Sequence, residues 1–280
     1  PPGMMPSLPF IPGVECIGVV EQTGSQVDGF DQGDKVAYFG KIGSATYAES
    51  VVATATSLVK IPSSVNDVKA AVIPVNYATA YHMLHNIAKI TSDDVLLIHA
   101  AAGGVGTALI QLAKLIGATV IGSVGSEAKK TYALNQGADF VVNYKAENLH
   151  ESILEITQDQ GVNASFNPVS GDSLPDDLGV LAPFGHLVVF GFLAGLPDQP
   201  LQETLLKHFG KSLTVSYSDI YTLYNQDFEE LKSILRTLFE LLSSGKITPK
   251  VYQEIPLAQA STAHKLLESG KVIGKLVLVP

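Results

Sequence analysis

Residues 95–114 read VLLIHAAAGGVGTALIQLAK, and this stretch decides the fold class of the 280-residue chain. Its four leading aliphatic residues are typical of a strand in a parallel sheet that is covered on both faces. The glycine turn that follows lets backbone amides approach a pyrophosphate, and the helix start adds its N–H groups and positive dipole end. The stretch therefore predicts a dinucleotide-binding turn, with cofactor contacts at Ala102, Gly103, Gly104 and Val105.

The glycines of the turn are expected to have different structural roles. Gly103 permits the close approach of the phosphates, and Gly106 lets the first helical turn pack closely on the sheet. Ala101 stands where the usual fingerprint has its first glycine, so the motif reads A-x-G-x-x-G. The strand before it and the amphipathic helix after it support the dinucleotide interpretation. A tight strand-to-helix turn without a ligand is the alternative.

The composition excludes several classes of function. A net charge of −9 and a single arginine, Arg236, leave no basic surface for a nucleic-acid backbone. No apolar run approaches the roughly 18 residues of a membrane span. We therefore expect neither nucleic acid nor membrane as a partner. The single cysteine, Cys16, excludes a disulfide framework and favours a reducing compartment, so a cytoplasmic location is expected.

From about Pro74 onward, aliphatic strands alternate with helical segments. This alternation predicts an α/β fold with a Rossmann-type, doubly wound parallel sheet, which we assign to residues 76–218. The predicted strands are 94–99, 118–123, 139–142, 163–167, 186–190 and 212–217. The predicted helices are 105–116, 127–136, 147–159 and 172–181, with a longer one at 226–244.

The remainder of the chain is predicted to be rich in β structure. Short strands between glycine-rich turns are expected at 16–22, 34–39 and 47–53, in a small barrel or curled sheet. Residues 247–279 return to strand–helix–strand and are too short for a domain of their own. Residues 1–75 and 219–280 are therefore assigned to one domain that holds the other as an insertion. Because the first clear strand is typical of the middle of a sheet, we expect an N-terminal piece before Pro1.

Three motifs carry a family resemblance. Residues 9–21 read PFIPGVECIGVVE, residues 33–36 read GDKV, and residues 76–81 read NYATAY. They are similar to the P-x-x-x-G-x-E-x-x-G signature, the G-D-x-V turn and the entry to the nucleotide domain of the zinc-independent quinone oxidoreductases. These relatives of zeta-crystallin form part of the medium-chain dehydrogenase/reductase superfamily. The resemblance covers essentially the whole chain and implies a GroES-like catalytic domain, truncated at its start, around a Rossmann domain.

The resemblance also implies that no metal is bound. Val14 stands where alcohol dehydrogenases of the superfamily have a ligand histidine, and no cysteine cluster follows Gly33-Asp34. Zinc needs several nitrogen or thiolate ligands at suitable spacing, and the pair His82 and His85 on one predicted helix face has no third ligand. Without a Lewis acid to stabilise an alkoxide, reduction of a conjugated acceptor is the favoured reaction.

The second strand of the sheet indicates which dinucleotide is used. A site selective for NAD has an acidic residue about 20 residues beyond the glycine turn, but residues 121–126 here read IGSVGS. Glu127 is explained by the preference for acids at a helix start. We therefore predict NADPH. Lys129 and Tyr144 match family positions that contact the extra phosphate, although a solvated helix lysine is the alternative for Lys129. The predicted contacts at this end of the cofactor are Ser123, Gly125, Ser126, Lys129 and Tyr144.

Contacts at the nicotinamide end follow from the resemblance. The family backbone wraps the nicotinamide at Phe190, Gly191 and Phe192, where Gly191 allows a close approach. Asn167, at the carboxyl edge of the sheet, is either a ligand-edge residue or a turn-forming asparagine before Pro168.

Residues at the start of the nucleotide domain and in the other domain complete the predicted site. Asn76 and Thr79, together with Tyr38 and Phe39, are expected near the nicotinamide in a cleft between the two domains. Lys275 resembles a family position and is predicted to reach that cleft, with an exposed strand lysine as the alternative.

The predicted reaction is hydride transfer from NADPH to a quinone or an α,β-unsaturated carbonyl compound, in which the protein supplies position and a dry cleft. No catalytic residue is assigned. Tyr38 or a water is considered as the proton source, with a packed tyrosine as the alternative. Enoyl-thioester reduction is an alternative activity, and NADPH binding without turnover, in a crystallin-like or redox-sensing protein, is an alternative of another class.

The last strand of the sheet bears on assembly. Residues 211–218 read KSLTVSYS, and an unpaired edge of this alternating type favours pairing with a copy of itself. The resemblance implies a homodimer joined through the edge strand 212–217. An edge covered by residues 221–224 is the alternative.

Overall fold

The computed structural model describes residues 8–198 and 200–280. The chain divides into two compact units: unit 1 is Pro1–Ala78 with Ile220–Pro280, and unit 2 is Thr79–Asp219. Strands and helices alternate through unit 2, whereas unit 1 carries short strands from both ends of the chain. The predicted α/β class with a doubly wound parallel sheet is confirmed.

The strands in the described part of the chain are numbered in chain order. They are β1 (Glu15–Val19), β2 (Lys35–Phe39), β3 (Leu58–Lys60), β4 (Val95–Ile98), β5 (Thr119–Val124), β6 (Phe140–Asn143), β7 (Val162–Asn167), β8 (Leu181–Val189), β9 (Thr214–Tyr217), β10 (Val251–Pro256) and β11 (Lys275–Val279).

The α-helices are numbered in the same way. They are α1 (Asp67–Ala70), α2 (Ala78–His82), α3 (Gly104–Ile116), α4 (Glu127–Asn135), α5 (Leu149–Ile156), α6 (Ser173–Val180), α7 (Leu201–Lys207), α8 (Ile220–Gln226), α9 (Phe228–Ser243) and α10 (Ala260–Glu268). One-turn π-helices at Ile73–Tyr77 and Met83–Ile87 flank α2. None of the helices in the described ranges is long and apolar enough to cross a membrane.

Unit 2 is built on a six-stranded parallel sheet in the order β6-β5-β4-β7-β8-β9. Leu96, Leu97 and Ile98 of β4 are fully buried, as expected for a central strand that is covered on both faces. The strand order reverses between β4 and β7, and in open α/β sheets ligands bind outside the carboxyl ends of the strands at this point. β9 lies at the edge, as the sequence predicted.

Unit 1 contains two small sheets. β1, β2 and β3 form an antiparallel sheet with Cys16 opposite Tyr38, and β10 pairs with β11 in parallel. The predicted strand 47–53 is wrong, because the place beside β2 is taken by β3. Val52 is fully exposed, so the apolar residues of this segment gain no burial that would favour a strand.

The boundary between α6 and β8 also differs from the prediction. The sequence predicted a helix to residue 181 and a strand from 186, but β8 begins at Leu181 and pairs with Val162 across an irregularity. The Pro183-Phe184-Gly185 segment reads as a turn, and Phe184 does have a positive φ of 63°. The strand continues through it because the pairing with β7 resumes at His186.

Candidate functional site

The glycine turn between β4 and α3 is closely packed. A Cβ atom at Gly106 would lie 2.4 Å from the carbonyl oxygen of Ala100 and 2.8 Å from the Cα of Ala101. Gly103 is the N-cap of α3, and within the described residues no side chain caps this helix. The first amides of α3 therefore point toward the turn at the positive end of the helix dipole, which suits a phosphate group.

Two lysines lie close together beyond the end of β5. A Cβ atom at Gly125 would lie 2.7 Å from Oη of Tyr144 and 3.3 Å from Cε of Lys145. Burial and then the positive charge of Lys145 lower the pKa of Lys129. Gly125, Lys129, Tyr144 and Lys145 thus form one cluster, called here the lysine pair site. It brings two cations together, an arrangement that an anion would stabilise.

Lys145 is the member of this cluster that the sequence analysis missed. Its position directly after Tyr144 was the available signal, because a residue next to a predicted phosphate contact at a strand end can reach the same phosphate. A lysine in a loop is more often solvated, so this signal was weak.

The two predicted serines differ in their surroundings. The hydroxyl of Ser126 accepts the backbone N–H of Lys129 at 3.4 Å as the N-cap of α4, beside the lysine pair site. Ser123 is only 1% exposed, and its Oγ lies 3.1 Å from Nδ1 of His99. The carboxylate of Glu127 accepts a hydrogen bond from the side-chain amide of Asn143 at 2.7 Å. This bond, added to its place at a helix start, supports a structural role for Glu127.

The predicted nicotinamide segment packs against the turn that follows β7. A Cβ atom at Gly191 would lie 2.7 Å from the carbonyl oxygen of Pro168, and the N–H of Phe190 donates to the carbonyl of Asn167 at 3.0 Å. Phe192 stacks on Tyr217 with ring centroids 6.1 Å apart. Gly191 is therefore required for a close approach of backbone segments within the protein itself.

Asn167 is a turn-forming residue. Its Oδ1 accepts the backbone N–H groups of Val169 and Ser170 at 2.7 and 2.9 Å, and the side chain is fully buried. Of the two roles that the sequence left open, these bonds support the structural one.

In unit 1, Lys275 of β11 forms an ion pair with Glu15 of β1. The second carboxylate oxygen of Glu15 accepts the backbone N–H of Val75 at 2.8 Å, directly before Asn76. Asn76 is half-buried, and Thr79 is only 8% exposed. Glu15 thus fixes both the backbone beside Asn76 and the ammonium group of Lys275, and the contact of Lys275 with a cofactor stays a prediction.

A cavity of about 450 Å³ opens beside Tyr38 in unit 1. Its walls combine apolar side chains with a few polar groups, including Ile11, Ile42, Val51, Tyr38, Lys41 and Ser44. The hydroxyl of Tyr38 donates to Oγ of Ser44 at 3.1 Å, which holds the phenol in one orientation. Phe39 is fully buried and stacks on Tyr224, so it belongs to the core of unit 1.

The remaining candidate residues are placed as follows. In the ranges that the structure covers, no three His, Cys, Asp or Glu side chains come together as a metal-binding group. The ring of His85 lies against that of Tyr81 with centroids 4.1 Å apart and the planes tilted by 35°, and burial lowers the pKa of this histidine. Burial and the charge of Glu15 raise the pKa of Cys16 to about 11, so this thiol stays protonated at neutral pH.

Comparison with known protein families places both parts of the chain. Residues 104–237 match the family described as zinc-binding dehydrogenase, and residues 2–63 match the alcohol dehydrogenase GroES-like domain. The predicted combination of a Rossmann-type sheet with a GroES-like domain is confirmed by these matches.

Several known proteins are similar over nearly all of the chain. A 2-haloacrylate reductase from a Burkholderia species is 30% identical, over 97% of this chain and 81% of the relative. The crystal structure of Escherichia coli quinone oxidoreductase complexed with NADPH is 35% identical, with a TM-score of 0.90, over 98% of this chain and 84% of that one. The apo crystal structure of JamJ enoyl reductase is 29% identical, with a TM-score of 0.84, over 95% of this chain and 78% of that one.

Much larger proteins also match. A highly reducing polyketide synthase of Gibberella zeae is 34% identical over 98% of this chain, which spans only 12% of the length of that relative.

Proposed function

The chain belongs to the medium-chain dehydrogenase/reductase superfamily, with the quinone oxidoreductases, and we propose that it is an NADPH-dependent reductase. The proposed acceptor is a quinone or the activated double bond of an α,β-unsaturated carbonyl compound, reduced without zinc. The observation that carries the proposal is the lysine pair site, which brings two cations together after β5, where the sequence 121–126 lacks the acid of an NAD-selective site.

The residues of unit 2 fit NADPH. The start of α3, which no described side chain caps, suits the pyrophosphate, and Gly106 lets the first helical turn pack against Ala100 and Ala101. Lys129 and Lys145 would meet the 2′-phosphate as point charges, and Tyr144 offers a hydroxyl next to them. When bound, NADPH supplies the hydride.

The other residues of the chain position the reactants. We assign the backbone of Phe190, Gly191 and Phe192, together with Asn76 and Thr79, to the nicotinamide end. The cavity beside Tyr38 is proposed to take the acceptor, since its mixed apolar and polar wall suits a conjugated ring or enone. Tyr38 or a water is the proposed proton source, and no catalytic residue is assigned beyond this.

A second candidate function is enoyl-thioester reduction. The similarity to JamJ enoyl reductase and to a highly reducing polyketide synthase favours it. In this case the double bond reduced is conjugated to a thioester, and the same hydride transfer applies. A composition with one arginine provides little of the basic surface that a phosphorylated carrier would favour.

We also propose a homodimer and a cytoplasmic location. The edge strand β9 carries Tyr217, which is 58% exposed and stacked on the 45% exposed Phe192, so an aromatic surface lies at an unpaired sheet edge. A monomeric mass in sedimentation would contradict the dimer. The single thiol, Cys16, supports a reducing compartment, and a fractionation that finds the native protein in an oxidising one would contradict this.

The experiment that tests the function measures NADPH oxidation by the purified chain. The acceptors are 1,4-benzoquinone, an enone such as cyclohexenone, and crotonyl-coenzyme A, each with NADPH and with NADH. Oxidation with the quinone or the enone supports the proposal, and oxidation with crotonyl-coenzyme A alone supports the second candidate. Tight NADPH binding without oxidation by any acceptor would identify a binding protein instead. A chain that binds neither cofactor would refute the proposal.

A further inference from the structure

A chain of buried polar side chains crosses the carboxyl edge of the sheet in unit 2. It joins Ser123 of β5, His99 after β4, Asp177 of α6 and Asn167 at the end of β7. These four residues are between 0% and 5% exposed. Burying so many polar groups is costly unless each has a partner, so their arrangement calls for a reason.

The carboxylate of Asp177 is the centre of this network. Its Oδ1 lies 2.7 Å from Nε2 of His99, and its Oδ2 accepts a hydrogen bond from Nδ2 of Asn167 at 2.6 Å. Nδ1 of His99 lies 3.1 Å from Oγ of Ser123. Because a carboxylate can only accept, Asp177 requires donors from both His99 and Asn167.

The order Ser–His–Asp does not form a nucleophilic triad here. Ser123 is 1% exposed and its Oγ lies against Nδ1, while Asp177 holds Nε2. A hydroxyl without access to solvent cannot attack a substrate, so a hydrolytic role for these residues is excluded.

One branch of the network leads to the nicotinamide segment. Asn167 is oriented by Asp177, and its Oδ1 in turn holds the amides of Val169 and Ser170. The carbonyl groups of Pro168 and Val169 accept the N–H groups of Leu193 and Ala194 at 3.1 and 2.8 Å. The position of residues 190–194 therefore depends on the turn that Asn167 forms.

The other branch leads to the glycine turn. His99 immediately precedes this turn, and its backbone N–H donates to the carbonyl of Phe166 at 3.1 Å. The carbonyl of Ser123, whose side chain contacts His99, accepts the N–H of Ala101 at 3.2 Å. The same buried carboxylate is thus linked to both segments that were predicted to hold the cofactor.

We infer that Asp177 is a positioning residue, which through His99 and Asn167 fixes the glycine turn relative to residues 190–192 for cofactor binding. This inference rests on the proposed function. The bonds of Asp177 lead to the glycine turn and to residues 190–194 and do not involve the lysine pair site, so its loss weakens NADPH and NADH binding by the same factor. That behaviour distinguishes it from Lys145, which acts on the 2′-phosphate alone.

The chemistry of the pair 167 and 177 provides a rescue experiment. In the double variant Asn167→Asp/Asp177→Asn, the carboxylate moves to position 167, where it can accept from Val169, Ser170 and the new amide. The oxygen of that amide can accept from Nε2 of His99. Oγ of Ser173, which accepts from Nδ2 of Asn167 at 2.9 Å in the wild type, can turn its proton from the carbonyl of Ser170 to the new carboxylate. The network keeps one negative charge and a donor for each side of it, so the double variant retains the positioning role.

The test compares cofactor dissociation constants by calorimetry, well below the unfolding temperature, for the wild type, Asp177→Ala, the double variant and Asp176→Ala. Asp176 is an exposed carboxylate on the same helix and is the matched control. Asp177→Ala is expected to weaken NADPH and NADH about tenfold each, because His99 and Asn167 lose their acceptor. The double variant and the control are expected to stay within about twofold of the wild type.

Each outcome decides the inference. A folded Asp177→Ala protein with unchanged dissociation constants, even at a lower melting temperature, would show a purely structural role and overturn it. A double variant that folds but binds as weakly as Asp177→Ala would do the same. Should Asp177→Ala not fold, wild-type-like binding by the double variant supports the inference and weak binding contradicts it. If the wild type binds neither cofactor, the proposed function fails first and the inference falls with it.

Discussion

Two lysines that were predicted to contact the cofactor lie in different electrostatic surroundings, one in each unit. In unit 1, Lys275 pairs with Glu15, so its charge is neutralised within the protein. In unit 2, burial and then the positive charge of nearby Lys145 lower the pKa of the Lys129 ammonium group. Two adjacent cations repel each other, so the second arrangement supports the proposed contact with an anion, whereas the first is a structural link.

The charges around a lysine help to assign its role where the sequence does not distinguish one lysine from another. Lys129 and Lys275 were both predicted to contact the cofactor. The charges around them separate the two, because an anion would relieve the repulsion at Lys129 but would have to compete with Glu15 for Lys275. Substitutions on either side should therefore have different effects on NADPH and NADH binding.

Replacing Gly125 by Asp is expected to have the largest effect. The new side chain would start 3.3 Å from Cε of Lys145, displace the hydroxyl of Tyr144 and bring a carboxylate that repels the 2′-phosphate. We expect NADPH binding to weaken about 100-fold, or about 2.7 kcal/mol, while NADH binding is kept or improved. The measurement is the dissociation constant of each cofactor by calorimetry.

The control for this change is Gly125→Ala, which adds the Cβ atom 2.7 Å from the Tyr144 hydroxyl but no charge. It should weaken NADPH binding only a few-fold, since both lysines remain. An equal loss of NADPH and NADH binding in Gly125→Asp would show that this strand end does not select the phosphate.

Replacing Lys145 by Met tests the residue that the sequence analysis did not find. We expect NADPH binding to weaken about tenfold and NADH binding to stay within about twofold, because one charge contact to the phosphate is lost. Raising the salt concentration should weaken NADPH binding by the wild type more than by this variant. Lys130→Met is the matched control, since Lys130 lies on α4 and pairs with Glu147 at 2.8 Å. An equal loss in both lysine variants would contradict the lysine pair site.

Replacing Glu15 by Gln tests the other side of the comparison. We expect a loss of about 1 kcal/mol in the free energy of unfolding, because the half-buried ammonium group of Lys275 loses its partner. The affinities for NADPH and NADH should change by the same small factor. The measurement is denaturant unfolding of Glu15→Gln, Lys275→Met and the double variant. If the loss in unfolding free energy of the double variant equals the sum of the losses of the two single variants, Glu15 and Lys275 do not stabilise each other.

The sequence predicted unit 2 well, for a physical reason. A buried strand such as Val95–Ile98 followed by a glycine turn and an amphipathic helix leaves few alternatives, since pattern, turn chemistry and burial agree. Unit 1 offered no such agreement. The segment 47–53 contains the aromatic and β-branched residues typical of a strand, yet the edge beside β2 belongs to β3, and strand pairing at a distance cannot be predicted from a local pattern.

The candidate site divides in the same way. Gly106 and the missing acid after β5 follow from spacing along one strand–turn–helix unit, so the sequence was sufficient to predict them. The link from Asp177 to His99 joins residues 78 positions apart, and the role of Asp177 depends entirely on that contact. No periodicity or motif in the sequence predicts that a single aspartate in a helix is buried and hydrogen-bonded. The role of such a residue can be assigned only from the three-dimensional contacts that the fold creates.

The smallest expected effect is on the pH dependence of NADPH binding. Because the pKa of Lys129 is lowered in the free protein, its ammonium group loses the proton at a lower pH than an ordinary lysine does. Only the charged form attracts the 2′-phosphate, which is itself fully ionised well above about pH 6. NADPH affinity should therefore fall a few-fold as the pH rises through the lowered pKa of Lys129. NADH affinity should stay constant over the same range.

Lys145→Met sharpens this last test, because removing the neighbouring charge raises the pKa of Lys129. The fall in NADPH affinity should then move to higher pH, even though the affinity at neutral pH is lower than in the wild type. Calorimetric titrations at alkaline pH in buffers of different ionisation enthalpy would also show proton uptake on NADPH binding, since the phosphate favours the charged lysine. If the fall occurs at the same pH in the wild type and the variant, Lys145 does not act on Lys129, and the two lysines would have to be treated as separate surface charges.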